Sequence, residues 1–177
     1  MKIKLLSSGF NVAPMAWALQ EHPELWDQNP ARTQDEDSPH HELSDIWVRY
    51  AKDQSVVGAH ESAWYPCADL MPIRELVYPL MSFVSGDQLG GVLITKIPAG
   101  KQCKPHTDPG WHARYYEKFA MQIQSSPGQR FCFEGESLES KPGDLYWFDN
   151  AHTHWVTNPT PYDRITLIVC IKTEKGN

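Results

Sequence analysis

The chain is predicted to be mainly β with flanking α-helices, its strands folded into a sandwich or barrel of antiparallel sheets. Three observations lead there. Fourteen prolines and eleven glycines among 177 residues break the chain into short pieces, which suits turns and strands better than a helical bundle. Beyond Gly86, short apolar runs alternate with Gly/Pro turns, the pattern of antiparallel sheets. A hydrophobic fraction of 41% with seven tryptophans supplies a core with aromatic packing and gives no reason to expect disorder. No internal repeat is present, which removes solenoids and propellers. One domain is expected over residues 1–177, with a helical and irregular part to about residue 86 and a barrel core over about residues 91–172.

The elements follow in order. Pro14 can open a short helix through Met15–Gln20 and Pro23 would end it, because proline fits a first helical turn and breaks a later one. Asn29 to His41 is polar and rich in Pro and Asp, the composition of an exposed loop. Ile46–Tyr50 reads as a strand. Pro72 then starts the clearest helix, in which Ile73, Leu76, Val77, Leu80, Met81 and Val84 form one apolar stripe. Such a stripe fits a helix laid on the outside of the sheets. Further strands are expected at Gly91–Ile97, Ala120–Gln124, Arg130–Glu134, Leu145–Phe148, His152–Thr157 and Arg164–Lys172, separated by turn residues.

The net charge of −6 and a pI near 5.7 disfavour a nucleic-acid partner, which needs a cationic face. The apolar start around Ile3, Leu5 and Leu6 is shorter than the about 7–15 residues of a secretory signal. No run approaches the about 18 apolar residues of a membrane span. Cys67, Cys103, Cys132 and Cys170 form no C-x-x-C pair, so reduced, buried thiols are expected and a zinc ribbon is not. The expectation is a soluble, cytoplasmic protein with no membrane partner.

Two short segments carry chemistry. In Lys104-Pro105-His106-Thr107-Asp108, His106 and Asp108 are two apart, and alternate residues of a strand share a face. A second histidine from a neighbouring strand would complete a two-histidine, one-carboxylate face, the set used by non-heme Fe(II) oxygenases. His154 is the candidate, and His152 has the same parity and would serve in a shifted register. The second segment runs from His154 through Asn158-Pro159-Thr160-Pro161 to Arg164. A hairpin folded at 158–163 would set His154 opposite Arg164. Arg164 would head a face that also carries Thr166, Ile168 and Cys170, with Ile165, Leu167, Val169 and Ile171 facing away. A guanidinium there is costly to bury without an anion, and a dicarboxylate would supply one through two parallel hydrogen bonds. Asn158 shares the parity of His154 and is a candidate to orient the imidazoles. Trp111, His112 and Arg114 are candidates for a lid or substrate wall, and Arg32 with His41 for the lining of a cleft. His40 and His41 otherwise read as surface residues, and His22 and His60 as ordinary polar ones.

The order and spacing of these pieces resemble the aspartyl/asparaginyl β-hydroxylase-like branch of the Fe(II)/2-oxoglutarate dioxygenases, from about Val92 to Ile171. The matching pieces are Ile97-Pro98-Ala99-Gly100 before His106-Thr107-Asp108, Pro127-Gly128-Gln129-Arg130-Phe131, Pro142-Gly143-Asp144, His154-Trp155-Val156-Thr157-Asn158 and Asp163-Arg164-Ile165-Thr166-Leu167. Ser38-Pro39-His40-His41 ahead of Asp45-Ile46-Trp47 is similar to small bacterial and viral members, more weakly.

The resemblance implies a double-stranded β-helix, a jelly-roll of the cupin kind with helices packed outside. It implies Fe(II) on the metal-binding and catalytic residues His106, Asp108 and His154, and 2-oxoglutarate with its far carboxylate on Arg164. O2 would be the co-reactant, and a C–H bond of an amino-acid side chain would be hydroxylated with release of succinate and CO2. The substrate would be a peptide, a protein or a free amino acid. Asp108 departs from the family's animal founding member, which has glycine there. Lys118 and Ala120 stand where many members carry an R-x-H pair, so the near carboxylate of 2-oxoglutarate would be held differently, by Lys118 or Gln122. Two other readings stand beside this one: the same chemistry on a small metabolite or nucleobase, and a metal-binding cupin without turnover.

Overall fold

Two antiparallel sheets face each other in the computed structural model, which describes residues 1–53 and 58–174. The larger sheet has the order β1 (Ile3–Ser7), β9 (Leu145–Phe148), β6 (Glu117–Gln124), β11 (Arg164–Thr173), β4 (Gly86–Ile97), β2 (Ser44–Ala51) and β3 (Ser62–Trp64). The smaller has the order β5 (Gln102–His106), β10 (His154–Thr157), β7 (Arg130–Phe133) and β8 (Glu136–Leu138). This is the jelly-roll arrangement, mostly β, with helices α1 (Ala13–Glu21), α2 (Ile73–Phe83) and α3 (Gly110–Tyr115) added to it.

Alternation along the strands divides the apolar residues between two cores. Pro14 stands in the first turn of α1, which buries Met15, Ala18 and Leu19. The stripe of α2 buries Ile73, Leu76, Val77 and Leu80, and Met81 and Val84 pack beside them partly covered. These helices lie on the outward face of the larger sheet, against Val92 and Ile94 of β4 and Ile165, Leu167, Val169 and Ile171 of β11. The inward faces meet in a second core of Ile97, Ala120, Phe131, Phe133, Tyr146, Phe148 and Val156. All four cysteines are free.

Two differences from the sequence reading have physical causes. Strands β4 and β6 begin before their apolar runs, because β11 continues pairing past them, Cys170 with Lys118 and Thr173 with Gly86. The hairpin expected between His154 and Arg164 does not form. Both edges of β10 are taken by β5 and β7, and both edges of β11 by β6 and β4, so the two strands sit in opposite sheets. Residues 158–163 instead cross between the sheets, as does the turn from β4 to β5. Asn158 clamps the two crossovers: its side-chain NH2 donates to the carbonyls of Ile97, Pro98 and Tyr162.

Candidate active site

The central constellation is assembled by the β5–β10 pair. His106 and His154 are register partners across that pair, and their rings lie 4.4 Å apart. Asp108 is just past the end of β5, so strand parity does not place it. Its backbone N–H donates to the carbonyl of Asn150 at 3.1 Å, and this pins the turn so that the carboxylate folds back. Asp108 Oδ1 is 3.7 Å from His106 Nε2, and Oδ2 is 3.9 Å from His154 Nε2.

The hydrogen bonds behind the rings fix their tautomers. His106 Nδ1–H donates to the carbonyl of Lys104 at 2.8 Å, and His154 Nδ1–H to that of His152 at 2.9 Å. Each Nε2 is left with its lone pair toward the carboxylate, the orientation that ligating imidazoles take. Burial pushes His154 down to about 4 and lowers His106 as well, which keeps both rings neutral at ordinary pH. Burial alone would raise Asp108, but the Lys118 ammonium, ion-paired and hydrogen-bonded to Oδ2, outweighs it and holds the carboxyl below its usual range. Two neutral nitrogens and one ionised carboxylate within 4.8 Å of one another make a donor set that fits a divalent first-row metal. Phe131, stacked 5.5 Å from His154, and Phe133 and Phe148 wall the ring in.

Deeper in the same cavity lies Arg164, 2% exposed. Its guanidinium donates to Thr166 Oγ1, to Ser140 Oγ at 3.2 Å and to the Tyr146 hydroxyl at 3.3 Å. All three partners are neutral. Arg164 Nε and the nearby Thr95 Oγ1, which borders the same cavity, are buried without a hydrogen-bond partner among the described residues. A buried guanidinium with no counter-ion fits an incoming carboxylate. His154 and Arg164 therefore share one interior, although they reach it from facing sheets and not from a hairpin.

The other expected residues divide. Lys118 and Ala120 both border the cavity, which places the R-x-H departure at the site itself. Gln122 does not hold the near end of a ligand. Its oxygen accepts from Ser140 and Thr166, and its NH2 donates to the carbonyls of Gln124 and Ile165, so it is spent in the wall behind Arg164. Asn158 does not orient the imidazoles either, because its groups are consumed by the crossovers and by Gln129 and Thr160. His152 is exposed and donates to Asp149, which removes the shifted register. Arg32 and His40 border the site, whereas His41 is exposed and bonded to the carbonyl of Thr33. Arg114 does not border the triad cavity; it lines a groove on the far side of Asp108, together with Trp147 and Asn150.

Two wall residues were not foreseen, Trp47 and Tyr50; with His60 packed behind them they join His112 in an aromatic cluster, Tyr50–His112 at 5.1 Å and His60–His112 stacked at 5.7 Å. Strand parity would set Trp47 and Tyr50 on opposite faces; the register shift against β4 between Trp47 and Arg49 breaks that alternation and lets both rings meet.

Residues 19–173 match the family model for aspartyl/asparaginyl β-hydroxylase. No curated protein matches the sequence. Among solved structures, a Trichoplax adhaerens prolyl hydroxylase in complex with a hypoxia-inducible-factor peptide fragment aligns over 99% of this chain and 85% of its own, at 11% identity and a TM-score of 0.63. The collagen prolyl hydroxylase of Paramecium bursaria Chlorella virus-1 aligns over 98% and 97%, at 9% and 0.58. A 2OG-Fe(II) oxygenase-family oxidoreductase from Burkholderia pseudomallei aligns over 96% and 92%, at 14% and 0.56. At these identities the likeness is one of fold.

Proposed function

The chain belongs to the aspartyl/asparaginyl β-hydroxylase family and is a hydroxylase, and on that premise we propose that it is an Fe(II)- and 2-oxoglutarate-dependent dioxygenase acting on an amino-acid side chain. The observation that carries this reading is one cavity holding both a metal-ready face and a buried cation without a counter-ion among the described residues. Iron on that face would supply activation of dioxygen, coupled to conversion of 2-oxoglutarate to succinate and CO2, and the oxidising power to hydroxylate a C–H bond.

The protein's share is binding, orientation and exclusion of water. His106, His154 and Asp108 would hold the metal. Arg164 would grip the far carboxylate of 2-oxoglutarate, with Ser140, Thr166 and Tyr146 holding the guanidinium in place. Lys118, beside Asp108, would offset charge at the near carboxylate, a point charge in place of a planar fork. A peptide or protein substrate is supported by the family's name and by the peptide bound to the Trichoplax enzyme.

Thermal melting tests the reading. 2-Oxoglutarate is expected to raise Tm when Mn(II) is present and to have no effect without a divalent metal. A shift that ignores the metal, or no shift at all, would overturn it.

A further inference from the structure

The triad cavity continues into a second compartment, away from Arg164. The strands show the direction. Arg164 and Thr166 of β11 and Thr95 and Ile97 of β4 border the first compartment, while Cys170 and Gly91–Leu93 border the second, of about 280 Å³. Ile168, Asp108 and Lys118 border both. A ligand there would touch the metal face from the side opposite the arginine.

The charges around this compartment are already matched. Arg32 gives both of its nearest donors to Asp45, Nε to Oδ2 at 2.7 Å and Nη2 to Oδ1 at 2.9 Å, and Asp45 is 1% exposed. Lys118 is paired with Asp108. His112 Nε2 accepts the backbone N–H of Gly91 at 3.2 Å, so that ring is a neutral acceptor. The rest of the wall is mostly aromatic or aliphatic, with Trp47, Tyr50, Val92, Leu93 and Ile168; its polar points are Cys170, His40 and the indole N–H of Trp47, which is buried without a partner among the described residues. Among the described residues a carboxylate entering here finds no cation left unpaired, and the one unpartnered donor, Trp47 Nε1–H, is neutral and makes up little of the hydration lost. A hydrocarbon side chain loses nothing by the same transfer.

Gly91 lets two wall rings close over its backbone, so a side chain there would push them into the compartment. A Cβ built on it would lie 3.2 Å from Tyr50 Cδ2 and 3.2 Å from His112 Cε1, in the gap between the two rings. Its φ lies outside the left-handed region, so the absence of a side chain serves space and not backbone strain.

We propose that the second compartment receives the side chain to be hydroxylated, that this side chain is uncharged and apolar, and that Gly91 limits its size. This rests on the dioxygenase reading above and goes beyond it, since the family's name alone points to aspartate or asparagine.

The test uses the N-acetyl amides of valine, leucine, aspartate and asparagine, with succinate released per probe as the readout. Wild-type protein is expected to favour the valine and leucine probes over the aspartate probe by about tenfold or more in kcat/KM. Gly91→Ala is expected to lower kcat/KM for the leucine probe about tenfold relative to the valine probe. A preference for the aspartate or asparagine probe, or no turnover of either apolar probe, overturns the inference, and neither result needs the variant to fold. Equal loss on both apolar probes in Gly91→Ala overturns the role of Gly91. The metal-dependent melting shift with 2-oxoglutarate is measured on the same wild-type sample. Its absence would strike the dioxygenase reading itself, and its presence with an aspartate preference strikes only this one.

Discussion

At one end of the barrel interior Arg164 donates to three neutral hydroxyls, and its Nε has no partner among the described residues. Towards the other end Arg32 delivers two parallel hydrogen bonds to the buried carboxylate of Asp45. The two guanidiniums are the same chemical group, Arg164 fully buried and Arg32 partly covered, yet one is neutralised by the protein and the other is not. A charge whose counter-ion is built in is a structural element. A charge without one is a half-finished ion pair whose other half arrives as ligand.

The largest expected effect separates them on stability. Arg32→Met leaves Asp45 buried and unpaired, and denaturant unfolding is expected to show a loss of about 3–5 kcal/mol. Arg164→Met removes a cation that has no anion to abandon, so its unfolding free energy should hold or rise. Its cost should appear in binding, with 2-oxoglutarate affinity for the Mn(II)-loaded protein falling by about 2–5 kcal/mol in calorimetry. If both variants lose stability alike, the contrast between the two sites is wrong.

A pH series sharpens the comparison. Burial holds His112 and His154 at about 4 and His40 at about 2, while in the unfolded chain each titrates near ~6.5. Below that value the unfolded state takes up protons that the folded state refuses, so stability falls as pH drops. The metal-free protein should lose a few kcal/mol between about pH 7 and 5, a window above the range in which Asp108 would protonate. Above about pH 7 these rings contribute nothing. An unchanged urea midpoint across that window would contradict the neutral assignment of the rings.

The smallest effect concerns Asn158. Asn158→Ala should cost about 1–3 kcal/mol of stability by freeing the crossover carbonyls, and Mn(II) affinity of the folded protein should not move. A change in metal affinity would restore to Asn158 the orienting role that its hydrogen bonds deny.

These contrasts also explain what was legible in the sequence. Parity along β11 assigned every inward and outward residue correctly, from Arg164 to Ile171, because alternation is a property of one strand. Parity could not say which sheet β10 joined, because that depends on competition among edges far apart in the chain. The triad was readable from His106, Asp108 and His154, although Asp108 arrives by a turn pinned to Asn150 and not by strand alternation. Gln122 and Asn158 were misassigned for a related reason: their faces were right, but buried amides are claimed by whichever backbone groups the fold leaves unpaired. The Arg32–Asp45 pair spans an irregular loop with no period to read, and the aromatic cluster of Trp47, Tyr50 and His60 is completed by His112 from far along the chain, so no local pattern marks either.

Anaerobic titration of the Fe(II)-loaded protein with 2-oxoglutarate tests the central claim most directly, following the visible charge-transfer absorption expected when the cosubstrate chelates iron at an open metal face. Wild-type protein should develop a saturable band. His106→Ala should give none, and Arg164→Met should give the same band at a much higher 2-oxoglutarate concentration. A wild-type protein without the band, or an Arg164→Met variant that saturates as readily as wild type, would contradict the account.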